Sequence, residues 1–152
     1  MLIVEHQLKA VESCQAIIAQ VAGPAPATHL FICAGYIRVN AAHVVQQTGI
    51  INTTPDAPLP LSFILPDNDR QFLALTASDG TPLTILSATA SATFPMIDLS
   101  QNTAPVRREI KAAQVHQQGP HALLVIFLKV TGTDNEVAIS YQVSILAGPA
   151  TS

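Results

Sequence analysis

Charge is what this sequence has least of. Only 11% of its 152 residues are Asp, Glu, Lys or Arg, against about 25% in an ordinary soluble domain. Seven basic and ten acidic side chains stand where that average would supply roughly 38 charges. Spread over a folded surface on the order of 7,000 Å², they amount to about one charge per 400 Å². Freely dissolved domains keep a denser coat. The charges are also unevenly placed. Between Ser13 and Pro55 only Arg38 is charged, and from Val137 to Ser152 there is none. The net charge of −3 lacks the basic surplus that phosphate binding needs, which argues against a general nucleic-acid binder. The one weak candidate patch is Arg107, Arg108 and Lys111, with Glu109 inside it.

Other scarcities narrow the chemistry. There is no Trp, and only two Tyr and five Phe, which weakens a stacking platform for sugars or single-stranded nucleic acid. The two cysteines, Cys14 and Cys33, form no CxxC and have no metal-ligand spacing. They are expected as buried thiols that behave as small hydrophobes. The N-terminal stretch carries Glu5 and Glu12 where a signal peptide would be basic. The longest apolar run, Ala122 to Leu128, is too short to cross a bilayer. These features predict synthesis in the cytoplasm and no membrane span.

Catalytic and cofactor motifs are missing as well. The chain has no GxSxG, GxGxxG or GxxxxGK[ST]. Of its five histidines, His6, His29, His43, His116 and His121, the closest pair is His116 and His121. No HxH, HxxxH or HExxH occurs, and cupin-type metal binding needs paired strand histidines. Asp67 and Asp69 in "PDNDR" could face a calcium ion, but the glycine and distal glutamate of an EF-hand are absent, and such turns form mostly through Asx hydrogen bonds. No catalytic residue, cofactor ligand or metal ligand is therefore assigned, and an enzyme is not expected.

What the sequence does have is strand pattern. In "EVAISYQVSIL", Val137, Ile139, Tyr141, Val143 and Ile145 fall on one face of a strand, and Ala138, Ser140, Gln142 and Ser144 on the other. "HALLVIFLKV" reads as a nearly continuous apolar strand from the middle of a sandwich. "HLFICAGYIRV", "LSFIL", "QFLALTA", "TPLTILSA" and "TASATFPMI" are further strand segments, with turn signals at "PDNDR" and "SDG". "QLKAVESCQAIIAQVAG" has Leu8, Val11, Ile18 and Val21 at helical spacing and ends at Gly23-Pro24, which predicts an amphipathic N-terminal helix over 8–22. Val106, Ile110 and Ala113 suggest a second, short helix, although a strand over Val106–Gln118 stays open.

The expectation is a mainly β, single-domain antiparallel β-sandwich of about eight strands. The sandwich would occupy 28–146, with a small polar tail over 147–152. Eight strands permit a jelly roll, a form used by viral capsid, lectin and cupin domains. The charge-poor surface and the missing catalytic motifs point to a structural assembly subunit, a virion coat or accessory capsid protein in an assembled particle. Its partners would be copies of itself and other structural proteins. Interface cores are depleted of charge, so the interface candidates are Ala138, Ser140, Gln142, Ser144, Val44 and Gln46. A small-ligand-binding module or enzyme on a jelly-roll scaffold is the alternative, and a fibre subunit a third.

Overall fold

The β-branched residues decide the first element. Val11, Ile17, Ile18 and Val21 lose rotamer freedom in a helix and pack well on a pleated surface. In the computed structural model, which describes residues 11–21, 28–40, 59–94, 107–131 and 136–149, strand β1 runs over Val11–Val21. The helix predicted over 8–22 is therefore corrected to a strand wherever it is described. Six further strands follow: β2 (Thr28–Asn40), β3 (Leu59–Ile64), β4 (Leu83–Thr93), β5 (Arg107–Gln118), β6 (His121–Thr131) and β7 (Glu136–Pro149). No helix occurs among the described residues. The short helix suggested by Val106, Ile110 and Ala113 is likewise replaced by β5. The sheet reaches past both predicted bounds, because β1 precedes residue 28 and β7 takes in Ala147–Pro149 of the predicted tail.

The strands form two antiparallel sheets, a four-stranded one in the order β1-β2-β7-β4 and a three-stranded one in the order β3-β6-β5. The pairing is nested. β2 pairs with β7 and β3 with β6. β4 and β5 meet where the two sheets adjoin. Inward rows of both sheets make the core: Phe31, Cys33 and Ile37 of β2, Ile139, Tyr141, Val143 and Ile145 of β7, Leu61 and Phe63 of β3, and Leu124, Ile126 and Leu128 of β6 are all buried. β6, expected in mid-sheet, lies between β3 and β5. Its other face is apolar too, and Leu123 and Val125 form a second buried cluster with Ile64, against which Phe127 packs partly buried. A strand buried on both faces has no polar phase to display.

The segment "QFLALTA" is not a strand. The chain passes from β3 to β4 through two narrow turns closed by single bridges, Pro66 to Phe72 and Thr76 to Pro82. Leu65, Leu73, Leu75 and Leu83 are buried there, and backbone bonds from Leu73 N to Leu65 O and from Leu83 N to Leu75 O hold them together. Asp67 Oδ1 accepts the N–H groups of Asp69 and Gln71. Asp79 Oδ1 accepts from the N–H and Oγ1 of Thr81, which holds the Asp79 carboxyl below its ordinary range. Gly80 takes the left-handed conformation between them, with φ 86°.

Two side-chain amides join the edges of the four-stranded sheet to the rest of the sandwich. Asn68 Oδ1 accepts Ala16 N–H at 2.7 Å, and its Nδ2 donates to Ala16 O at 2.9 Å. Beside it Cys14 Sγ donates to Asp67 O. On the opposite edge Gln117 Oε1 accepts Ile85 N–H at 2.9 Å, and its Nε2 donates to Leu83 O at 3.1 Å. Each amide supplies one donor and one acceptor to an edge backbone that would otherwise lack them.

Candidate interaction surface

The outer face of the four-stranded sheet follows from register. On the inner side lie Cys14, Ala16 and Ile18 of β1, opposite Gly35, Cys33 and Phe31 of β2. The outer rows therefore hold Gln15, Ile17, Ala19 and Val21 of β1. Beside them run Thr28, Leu30, Ile32, Ala34 and Tyr36 of β2, then Ser140, Gln142, Ser144, Leu146 and Gly148 of β7. Thr84, Ser87, Thr89, Ser91 and Thr93 of β4 complete the face. None of these residues is charged. Along β2 the first charge is Arg38, in register with Ala138 two positions beyond Tyr36.

This face has two halves. At one end an apolar band crosses all four strands, with Ala19, Leu30 and Leu146 in one row. Leu86, at the β4 bulge, lies over Gly148: a Cβ there would come within 3.1 Å of its Cδ1. Ile17 (51% exposed), Val21 (41%) and Leu86 (57%) are among the exposed large hydrophobic side chains of the molecule. At the other end the face is polar and uncharged. A cleft of about 730 Å³ opens there, lined by Gln15, Tyr36, Ser91, Thr93, Ser140 and Gln142 among others.

Four of the six interface candidates lie on β7. Gln142 is exposed, and Ser140 and Ser144 are half-buried on the outer face. Ala138 is buried, at 4% exposure. Val44 and Gln46 lie outside the described residues. Sequence reasoning misses Ile17, Val21 and Leu86, because it reads β1 as a helix and β4 as two segments. The density of β-branched residues in "AIIAQV" was the available signal.

The remaining candidates are dispersed. His116 Nε2 contacts Gln114 on β5, whereas His121 Nδ1 meets Leu73 O and its ring stands edge-on to Phe72. No group of three or more His, Cys, Asp or Glu able to hold a metal occurs among the described residues. In the basic patch, Lys111 pairs with Glu109 at 2.9 Å in an exposed bridge. That partly cancels the patch and contributes little stability. Both cysteines are free. No described helix is long and apolar enough to cross a membrane. No family model matches the chain, and no curated protein or solved structure shows significant similarity to it.

Burial also sets a pH dependence. Desolvation pushes the Cys33 thiol from 9.0 up to about 11, since the thiolate is disfavoured in an apolar interior. Tyr141 is raised as well, first by burial and then by the neighbouring Cys33 and Cys14. A raised folded pKa means that the stability held below the unfolded pKa is lost as pH climbs through the folded one. For Cys33 that window runs from 9.0 to about 11, at about 1.4 kcal/mol per pH unit. Denaturant unfolding across this range should show stability falling steeply, and Cys33→Ala should flatten the curve. An unchanged slope in that variant would remove Cys33 as the cause.

Proposed function

We propose that the chain is a structural assembly subunit, a virion coat or accessory capsid protein, that works by binding other subunits through the outer face of its four-stranded sheet. The observation that carries this reading is that face itself, which spans four strands, is uncharged from its Tyr36 row to its Val21 row, and exposes an apolar band at one end. Contiguous apolar patches of this kind mark interaction sites, and interface cores are depleted of charge. The winding supports it. The antiparallel pairs β2·β7 and β3·β6 are nested, and β4 and β5 adjoin across the two sheets, an arrangement that bears analogy to part of a jelly-roll winding. Jelly rolls build capsids as well as lectins and cupins, so the winding is analogy and the face is the physical ground. The partners in this reading are copies of the chain and other structural proteins. The location is the cytoplasm during synthesis and the particle afterwards.

The test is to place charge on the face, away from its β1 edge. Leu86→Lys and Gln142→Glu should abolish assembly followed by light scattering, because an unpaired charge in an interface loses its water and gains no partner. Subunit stability should change by less than about 0.5 kcal/mol, as for an exposed position. A parent that stays monomeric at every concentration overturns the reading. The uncharged cleft, within the usual volume of ligand sites, would then make a binding module the better one.

A further inference from the structure

The edge of β1 is half open. Ala16 directs both its N–H and its C=O away from β2, because Asn68 holds both. Antiparallel ladders alternate, so the N–H and C=O groups of Ile18 and Gln20 point to the same free edge. No group among the described residues pairs with them. From Ile17 to Val21 every side chain is exposed, on both faces of the strand. Ile18 is 52% exposed although it lies on the core side. The stretch is rich in β-branched residues and has no charge and no proline, and natural edge strands normally carry one or the other to block pairing. Nothing of that kind guards Ile17–Val21.

We infer that this open edge is a strand-addition seam for a second copy of the chain, joining two four-stranded sheets into one through antiparallel β1–β1 pairing. The inference rests on the assembly reading and adds to the face contact a second one at the sheet's edge. The unpaired backbone groups require an extended strand as the occupant. Self-pairing fits because a two-fold contact satisfies both identical edges at once. Asn68 fixes the register. With Ala16 already capped, the free groups are those of Ile18 and Gln20, and a two-fold axis at Ala19 sets Ile18 against the second copy's Gln20. The same axis places Ile17 beside the second copy's Val21 on the outer face, so the apolar bands of the two copies run together.

Proline gives a clean test. The Ile18 and Gln20 N–H groups face the edge, so Ile18→Pro and Gln20→Pro remove no bond to β2 and suit an edge strand. Each should weaken self-association about tenfold or more, since the two-fold contact loses the donor twice, with the circular dichroism of the subunit unchanged. In a Cys14→Ser background, Ala19→Cys should form an intermolecular disulfide under mild oxidation, because Ala19 sits on the axis as a non-hydrogen-bonded pair. Gln15→Cys should not. If the parent assembles but both proline variants assemble equally well and Ala19→Cys fails to cross-link, the seam is wrong and the assembly reading survives. A monomeric parent sinks both. If one proline variant misfolds, the other and the cross-link decide.

Discussion

Ile126→Ala is expected to lower the unfolding free energy by about 2–5 kcal/mol, while Phe127→Ala, one position along the same strand, loses less despite removing a larger side chain. Ile126 is fully buried in the main core between the sheets. Phe127 points the other way, where it is only partly buried against Ile64, Leu123 and Val125. The cost of truncation follows the cavity left behind, and a half-exposed site lets water or neighbours fill it. Urea denaturation of both variants, with the slopes compared, would measure the difference. A larger loss for Phe127→Ala would mean that β6 is packed in the opposite phase.

That phase shows where sequence reasoning reached and where it stopped. β7 was legible because it alternates: Ile139, Tyr141, Val143 and Ile145 are buried as the pattern predicts. β6 was legible as a central strand but not in phase, because a strand apolar on both faces carries no period-two signal. Val125 is buried in the second cluster, and Phe127 packs partly buried against it. Each strand that was expected as a helix carries a bulge that adds to the helical look of its sequence. In β5 a bulge between Ile110 and Ala112 sets Ile110 and Ala113, three apart, opposite Leu128 and Ile126 on the same face. In β1 a bulge between Val11 and Ser13 sets Val11 opposite Ile37 and Cys14 opposite Gly35. An extra residue turns period two into a local spacing of three, which imitates a helix. The third bulge, between Ile85 and Ser87 of β4, also lies on a strand at the margin of its sheet, where bulges are common. The interaction face was legible in part. Its lack of charge could be read from composition, whereas the apolar band needed the register of four strands, two of them separated by more than a hundred residues.

Gly35→Ala is expected to cost about 1–3 kcal/mol, the range for forcing an extra methyl group into a packed core. Gly35 stands between Cys14 of β1 and Tyr141 of β7, and the tyrosine ring lies across it. A Cβ at Gly35 would fall on the Tyr141 hydroxyl, 2.5 Å from Cζ and 2.7 Å from Cε1. The ring also meets Phe63 of the facing sheet edge-on, with centroids 5.3 Å apart at 65°, so any shift of it disturbs the core. The remedy should lie in the same pair. Gly35→Ala combined with Tyr141→Leu should recover about 1–3 kcal/mol relative to the sum of the single changes, the coupling expected of residues in direct contact. Tyr141→Phe alone should be neutral or stabilising, since the hydroxyl is buried without a hydrogen-bond partner and removing such a group relieves a desolvation cost of about 1–3 kcal/mol. Equilibrium denaturation of the four proteins measures the cycle. If Gly35→Ala falls within about 0.5 kcal/mol of the parent, the ring does not lie over the glycine.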